Sequence, residues 1–340
     1  MKRRAVRRRV GVIMGGSSSD REATLSAGHA VADALGARGH DVVRLSVGAS
    51  FGSELWASIQ RARIDVAFLA LSGRLGEDGC IQGLLELARI PYTGSSVLAS
   101  ALAMDKLKAK EMFRLHNVPT PPYYTVTVDD DLSDIADLHG SFGYPVIVKP
   151  RGEGASHGIS RVTNIEELQN ALEMAFDFDD VALVERFVTG LEFNVAILDG
   201  EVLGAVQVTP PVARFDMENR NDCAPFTLSP QRERGVVNLA ERAARALGCR
   251  GAVCVDVLVT AGENEYVLEV NTQPVLSPDG LFARAAAQKG YDFGALCESM
   301  LDGGRLYQSA RRRPRVDALM ASAYRQTNVV APAPMLKSVG

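Results

Sequence analysis

The sequence PVIVKPRGEGASHGISRV, residues 145–162, decides the fold because two apolar runs flank a loop that contains three glycines. The runs PVIVKP and ISRV predict strands, so the loop joins a strand to a strand. No G-K-[ST] follows the glycines and no helix is expected after them, which excludes the P-loop and the dinucleotide fingerprint. Backbone N–H groups of such a flap can point at phosphates, and Lys149 would add a positive charge. The alternative is a flexible hairpin turn, since glycine is the usual turn residue.

A second hairpin, GAVCVDVLV and EYVLEVN around TAGEN, carries acidic residues on one predicted face. If its turn centres on Gly262 and Glu263, Asp256 lies directly opposite Glu269, and Asn271 shares their face. Opposed Cβ atoms are about 5 Å apart, which suits shared coordination of one ion. Two carboxylates and an amide oxygen are hard ligands that fit Mg²⁺.

The alternative for this hairpin is a solvated edge with scattered acids. The apolar neighbours favour the metal, because they are expected to point to the opposite face; they are Val255, Val257, Leu268 and Val270. A glycine flap with a lysine, together with a carboxylate hairpin, predicts a nucleoside triphosphate site between two subdomains.

Residues 1–94 alternate strand and helix. The segments RVGVIMGG and DVVRLSV predict strands, and the almost wholly apolar DVAFLALSG predicts a strand buried on both faces. Apolar residues recur on one face of a helix predicted over residues 19–36. This order predicts a doubly wound parallel sheet, whose ligands gather at the loops GGSSSDRE and SGRLGEDG where strands end.

The composition is that of an ordinary globular protein of 340 residues, with 46% hydrophobic and 23% charged residues. This length predicts two or three packed subdomains. The net charge of −4 gives no reason to expect nucleic acid or an anionic membrane as a partner. Five scattered cysteines without C-x-x-C spacing predict reduced thiols rather than a disulfide framework or a zinc site.

The basic start MKRRAVRRRV resembles the first part of a signal peptide, but the following VGVIM is too short for its apolar region. We therefore expect a frayed basic arm ahead of the first strand. No apolar stretch has the length of a membrane span, and we expect a cytoplasmic protein. The basic segment RRRPR and the weakly patterned residues after it predict a solvated tail.

Several segments together resemble the D-alanine–D-alanine ligases of the ATP-grasp superfamily, over residues 9–305 and in the family's order. They are GGSSSDRE, GRLGEDGCIQGLLELARIPYTGSSVLASALAMDKLKAK, VIVKP, GLEFNVAIL, LGCRGAVCVDV and LEVNTQP. The resemblance implies an α/β protein with an ATP-grasp fold, in which two α+β subdomains clasp ATP behind a doubly wound N-terminal domain. The implied divisions are a substrate-binding domain 1–94, a central subdomain with the flap 95–187, a metal-binding subdomain 188–304 and a basic tail 305–340.

The implied activity is that of an ADP-forming ligase of peptidoglycan synthesis. ATP would phosphorylate the carboxylate of one D-alanine, and the amine of a second would attack the acyl phosphate. The implied cofactors are ATP and Mg²⁺ or Mn²⁺. The implied partners are small amino acids and a second copy of the chain in a homodimer, without nucleic acid or membrane.

The resemblance also implies roles by matching position. ATP phosphates would be held by Lys106 and Lys149, with Glu153, Gly154 and Ser156 in the flap. The adenine would be lined by Glu185, Arg186, Phe187 and Val188, and the ribose held by Glu192. The metal ligands would be Asp256, Glu269 and Asn271, in agreement with the hairpin pattern.

The amino-acid side of the site departs from the family. The catalytic candidates there are Asp20 in place of a glutamate, the flap residue Ser156, and Arg220 in place of a lysine. Other positions also differ: Ser72 replaces a histidine, Ala155 a serine, Asn221 a tyrosine, Cys254 an arginine and Val275 a glycine. These differences leave two alternatives, a sibling ligase with a different acid or amine substrate, and an ATP-binding homologue that no longer ligates.

Overall fold

A computed structural model describes residues 7–16, 21–48, 53–154, 157–209, 222–224, 228–262 and 264–307. The chain forms two compact units, Met1–Leu306 and Tyr307–Gly340. The second unit has only Tyr307 among the described residues. No helix in the described segments is long and apolar enough to cross a bilayer.

The N-terminal sheet is parallel, as the strand–helix alternation predicts. Its strands are β1 (Arg9–Gly15), β2 (Asp41–Val47) and β3 (Val66–Ala70), in the order β2–β1–β3. The helices are α1 (Arg21–Ala37), α2 (Ser53–Ala62) and α3 (Cys80–Ala88). Helix α1 can lie close to β1 because Gly28 has no side chain, and a Cβ there would stand 2.4 Å from the Cβ of Met14.

The central segment begins with two helices, α4 (Val97–Met104) and α5 (Lys106–Leu115). Its antiparallel sheet has the order β4–β7–β5–β6. The strands are β4 (Tyr123–Thr127), β5 (Val146–Pro150), β6 (Ser160–Val162) and β7 (Val181–Arg186). A 3₁₀ turn (Leu132–Asp134), α6 (Ile135–His139) and α7 (Ile165–Phe176) complete it.

The start of α7 is capped by Asn164. The Asn164 side chain accepts a hydrogen bond from the Glu167 N–H. The Glu167 carboxylate reaches back to the N–H of Thr163, one residue earlier than in a standard capping box.

The C-terminal sheet has the order β10–β9–β8–β11–β12. Its strands are β8 (Leu191–Leu198), β9 (Glu201–Thr209), β10 (Asp222–Ala224), β11 (Ala252–Val259) and β12 (Glu265–Asn271). The accompanying helices are α8 (Pro230–Ala246), α9 (Leu281–Ala287) and α10 (Phe293–Asp302). The turn between β8 and β9 is at Asp199 and Gly200, with φ of 49° and 91°. Strand β10 pairs with β9.

The N-terminal and C-terminal segments share one apolar core. Val12 and Leu35 belong to the same buried cluster as Phe282 and Leu296, so β1 and α1 pack with α9 and α10. Each segment alone would expose this surface to water. The domain boundaries at residues 94, 187 and 304 stay a prediction.

Both ends of this unit are tied into the fold. Arg8, predicted in a frayed arm, forms an ion pair with Asp302, and Arg9, the first residue of the predicted strand, forms one with Asp41. Arg305, the first residue of the predicted tail, forms an ion pair with Asp199. Residues 1–6 and 308–340 lie outside the described residues.

Candidate active site

The glycine flap joins β5 to β6, as the sequence predicts. Its first part is held at both edges: Arg151 donates its N–H to Val181 O, and Gly152 donates to Asp179 Oδ2 at 3.0 Å. Gly158 has a φ of +68°, and a Cβ there would meet Phe178 at 2.9 Å. A glycine is therefore required at that position for two independent steric reasons.

Lys106 lies beneath the flap because the start of α5 is tied to the end of β5. Its N–H donates to Arg151 O at 3.0 Å, and Arg151 forms an ion pair with the neighbouring Asp105. The Lys106 ammonium donates to the backbone oxygen of Glu153. Burial lowers the pKa of Lys106. The negative charge of Glu269 opposes this shift, and the positive charge of Lys149 adds to it. A buried cation facing the flap suits a phosphate group.

Lys149 and Glu185 form a buried charge cluster with a residue that the sequence reasoning missed, Lys110. Glu185 Oε1 lies 2.8 Å from Lys149 Nζ and 3.0 Å from Lys110 Nζ. Lys110 also donates to Thr120 Oγ1 and lies over the Tyr123 ring. Burial opposes the ionisation of Glu185, but Lys110 and Lys149 outweigh it and lower the pKa of that carboxyl. Lys149 is thus held at the cavity by the residue predicted to meet adenine.

Lys106, Lys149 and Glu185 line a first cavity of about 80 Å³ between the two antiparallel sheets. It is lined by Lys106, Ile147, Lys149, Pro150, Glu153, Gly154, His157, Ile159, Glu185, Glu192, Asp256, Leu268 and Glu269. Binding sites for drug-sized ligands usually have about 300–1,000 Å³. The volume of this cavity alone lies below that range.

The carboxylate hairpin is confirmed in its register. Asp256 pairs with Glu269, and Asn271 pairs with Cys254, two residues along β11. Asp256, Glu269 and Asn271 all line a second cavity. The hairpin contains a β-bulge after Asp256, which the sequence reasoning did not foresee.

The bulge corrects the prediction for Leu268. Val257 pairs with Val267, so Leu268 and Glu269 together face Asp256. Leu268 was predicted on the opposite face, and instead it lines the first cavity beside Glu269. A β-bulge interrupts the alternation of side chains, which is why the pattern argument is wrong at this residue.

The donor set of the hairpin fits a hard cation. Two carboxylates and an amide oxygen are oxygen ligands of the kind that Mg²⁺ takes, with the remaining positions left for water and phosphate. Asn194 Nδ2 donates to Asp256 Oδ1 at 2.7 Å and so orients that carboxylate. Among the described residues, no group of three or more His, Cys, Asp or Glu side chains is placed to hold a metal. The donor set of the hairpin has two such side chains, and its third donor is the Asn271 amide.

The second cavity adjoins the first and has a volume of about 490 Å³. The two share Lys106, Glu153, Gly154, Asp256 and Glu269. The larger cavity extends from these residues to α1, the 72–79 loop and α9. Its other lining residues include Ala23, Ser26, Ser72, Glu77, Met104, Asn194, Cys254, Val275, Leu281 and Phe282.

Cys254 lies in the wall of this second cavity. The side chain is buried, and its Sγ donates to Asn194 Oδ1 at 3.1 Å. Burial, with the nearby Asp256 carboxylate adding to it, raises the pKa of the thiol, so it remains a neutral donor. Cys254 therefore supports the Asn194 amide that orients Asp256, and it brings no positive charge to the cavity.

The predicted residues are not all brought together. Arg186 ends β7, Phe187 and Val188 follow it, and none of the three lines either cavity. The Arg186 guanidinium lies over the Phe142 ring, and Arg161 lies over the Phe187 ring. Other predicted positions lie outside the described residues: Asp20, Ala155, Ser156, Arg220 and Asn221.

Some lining and supporting residues were missed by the sequence reasoning: Lys110, Ile147, Ile159, Asn194 and Leu268. Ile147 and Ile159 lie in the flanking strand runs, where strand alternation would have assigned one face to the cavity. Lys110 repeats the Lys106 position one helical turn later, and this i, i+4 spacing was the available signal.

The chain matches two family models. The D-ala D-ala ligase N-terminus model covers residues 48–95, and the D-ala D-ala ligase C-terminus model covers residues 112–302. A D-alanine–D-alanine ligase from Geobacter sulfurreducens is 44% identical over 305 residues, which are 88% of this chain and 94% of that protein. One from Anaeromyxobacter sp. strain K is 42% identical over 88% of this chain and 97% of its own length.

Among solved structures, a D-alanine–D-alanine ligase from Bacillus anthracis complexed with ATP aligns with a TM-score of 0.74. That pair is 28% identical, and the alignment covers 87% of this chain and 96% of the other. The ATP-grasp fold behind a parallel N-terminal sheet is thereby confirmed. Since the relatives align along nearly their whole length, the chain belongs to the D-alanine–D-alanine ligase family.

Proposed function

We propose that this protein is an ADP-forming, ATP-dependent ligase that joins two D-alanines for peptidoglycan synthesis through an acyl phosphate. The observation that carries the proposal is a pair of adjoining cavities that share Lys106, Glu153, Gly154, Asp256 and Glu269. One cavity has cations and apolar walls suited to a nucleotide, and the other opens to the N-terminal loops. The shared residues lie where a phosphoryl group would pass from ATP to a carboxylate.

On the nucleotide side, Lys106 and Lys149 would hold the phosphates. Ile147, Ile159 and Leu268 would cover the base, and Glu192, buried in the same cavity, would meet the ribose. Glu185, Arg186, Phe187 and Val188 would contribute at the adenine, the first two from the end of β7 and the last two from the chain that follows it. To contact the phosphates, the Lys149 ammonium would leave its ion pair with Glu185. The Lys110 ammonium would then remain paired with the Glu185 carboxylate.

Asp256, Glu269 and Asn271 would hold Mg²⁺ or Mn²⁺, with Asn194 orienting the first of them. When bound, the metal supplies positive charge for the phosphates of ATP. Asp256 and Glu269 face Lys106 across the shared part of the two cavities. Phosphate oxygens would therefore lie between protein cations and metal ligands.

On the amino-acid side, the first substrate carboxylate would lie beside Lys106, and its oxygen would attack the terminal phosphorus of ATP. The bond from that phosphorus to the bridging oxygen would break, releasing ADP and leaving the acyl phosphate. The amine of the second D-alanine would then attack the acyl carbon, forming the amide and releasing phosphate. Asp20, Ser156 and Arg220 remain the proposed groups for the ammonium, the flap and the closing cation. The cavity's described walls are Ser72, Glu77, Cys254 and Val275, among others.

We also propose a cytoplasmic location and a homodimer. ATP and reduced cysteines are typical of the cytoplasm. Family membership supports the proposed dimer, and light scattering of the purified protein tests it, with twice the chain mass as the expected result.

The ligase activity is tested by measuring ADP with ATP, Mg²⁺ and single D- or L-amino acids or pairs of them. We expect ADP and a D-alanyl-D-alanine product with D-alanine alone. Glu269→Gln should lower this turnover at least about a hundredfold, because the variant loses one charged ligand, while its thermal unfolding stays unchanged. Product only with another acid or amine would transfer the assignment to a sibling ligase, and ATP binding without ADP under any mixture would contradict a ligase.

A further inference from the structure

Arg74 connects the N-terminal loop to the glycine flap through several contacts. Its Nε donates to Glu153 Oε1 at 2.7 Å, and its Nη2 donates to Phe178 O at 3.3 Å. The same Nη2 lies 3.6 Å from Asp179 Oδ2. One guanidinium therefore bridges the flap and the segment before β7, with the fixed planar geometry that lysine lacks.

The loop that presents Arg74 is held rigidly. The Glu77 carboxylate accepts the Gly73 N–H at 2.5 Å, and Asp78 accepts the Leu75 N–H at 2.8 Å. Gln82 Nε2 donates to Gly76 O from α3. Because these hydrogen bonds pair backbone groups of the loop with side chains of the loop and of α3, the backbone that carries Arg74 is held in one conformation.

The flap residues that Arg74 contacts belong to the site. Glu153 accepts the Lys106 ammonium on its backbone oxygen while its carboxylate receives Arg74. Asp179 receives both Arg74 and the N–H of Gly152. A Cβ on Gly154 would stand 4.0 Å from the Cα of Gly73, so the two backbones come close beside the Arg74 contact.

This junction separates two cavities. The 490 Å³ cavity is lined by Ser72, Glu77, Glu153 and Gly154. A third, polar cavity of about 260 Å³ lies on the other side and is lined by Arg74, Asp78, Arg151, Gly152 and Asp179. Met104 lines both, so the two cavities are neighbours at that side chain. We expect loss of the Arg74 contacts to open the junction between them.

We infer that Arg74 is a positioning residue that latches the glycine flap onto the 72–79 loop and excludes water from the acyl phosphate. The inference rests on the proposed ligase function. If water replaces the amine at the acyl carbon, the bond from that carbon to the phosphate oxygen breaks. The products are then the free carboxylate, inorganic phosphate and a proton, so ATP is consumed without a dipeptide.

The test compares phosphate released with dipeptide formed for wild type, Arg74→Ala and Arg74→Lys at saturating ATP and D-alanine. We expect a ratio near one for wild type, a rise of about threefold or more for Arg74→Ala and an intermediate value for Arg74→Lys. Arg44→Ala is the matched control, since Arg44 is a comparably exposed arginine paired with Asp33 away from the cavities. An Arg74→Ala ratio equal to that of wild type would overturn the inference.

A second measurement needs no turnover. Hydrogen exchange of the amides of residues 151–154, with a non-hydrolysable ATP analogue bound, should be about tenfold faster in folded Arg74→Ala than in wild type or Arg44→Ala. Unchanged exchange would also overturn the latch. If the wild-type protein makes no ADP, the proposed function is contradicted. If Arg74→Ala still speeds this exchange in that case, the latch between Arg74 and the flap is supported independently of the function.

Discussion

Glu185 is the residue on which the nucleotide side of the site depends most. It lies between two lysines in a nearly dry environment, and its Oε1 is within 3.0 Å of both ammonium groups. A carboxylate in this position compensates two charges that would otherwise be buried alone. The same ion pair holds Lys149 at the edge of the cavity, and the lysine has only to leave Glu185 to contact the expected phosphates.

Glu185→Gln should destabilise the folded protein by about 3–5 kcal/mol at pH 7, because the variant keeps the shape but removes a buried charge partner. The folded pKa of Glu185 lies below the unfolded value of 4.5, since the attraction of Lys110 and Lys149 outweighs burial. Its contribution is therefore fully present above that value and is lost as the pH falls through the folded pKa. Urea unfolding at pH 7 and at about pH 3–4 measures both effects.

Glu111→Gln is the control for this prediction. Glu111 pairs with Lys108 on the exposed face of α5, and such a pair is worth about 1 kcal/mol or less. A Glu185→Gln variant as stable as Glu111→Gln at pH 7 would show that the cluster does not need its carboxylate. Burial lowers the pKa of Lys110 to about 8, so the comparison belongs at pH 7 or below, where that lysine is charged.

At the scale of elements, the β11–β12 hairpin determines which groups face which cavity. The regular strand pattern was sufficient to predict that Asp256 pairs with Glu269. The pattern could not predict the bulge, because an extra residue is compatible with the same apolar and acidic sequence. The bulge adds Leu268 to the nucleotide cavity beside a carboxylate, a combination that strict alternation would forbid.

Leu268→Ala should raise the KM for ATP about tenfold and leave the KM for the amino acid unchanged. The substitution removes apolar surface from the first cavity, and Leu268 does not line the second. A loss of about 1.4 kcal/mol is within the range for a partly buried leucine. Steady-state kinetics with each substrate varied in turn makes the comparison, with Leu268→Met as the conservative control. A change only in the amino-acid KM would place Leu268 on the wrong side of the site.

The strands of the flap illustrate what a sequence can and cannot predict at this scale. β5, β6 and the glycines between them are evident from the local sequence pattern alone. The contact of Arg74 with Glu153 spans 79 residues of sequence. Long-range pairs of this kind depend on how three sheets pack, which local periodicity does not report.

At the scale of the whole molecule, the sequence indicated the order of sheets and the nucleotide side of the site. The shared core of β1, α1, α9 and α10 was not predicted, because the N-terminal pattern is satisfied equally well by a separate domain. Phe282 shows the consequence, since it belongs to that core and also lines the amino-acid cavity. The amino-acid cavity is thus lined by residues of the N-terminal, central and C-terminal segments, whereas the nucleotide cavity has no described lining residue from the N-terminal segment.

The most direct measurement of the proposed ligase chemistry traces oxygen atoms from substrate to product. D-alanine labelled with ¹⁸O in its carboxylate is incubated with the protein, ATP and Mg²⁺, and the phosphate and dipeptide are analysed by mass spectrometry. An acyl phosphate requires one labelled oxygen to appear in each phosphate released with a D-alanyl-D-alanine. Unlabelled phosphate accompanying the dipeptide, or no dipeptide at all, would contradict the account.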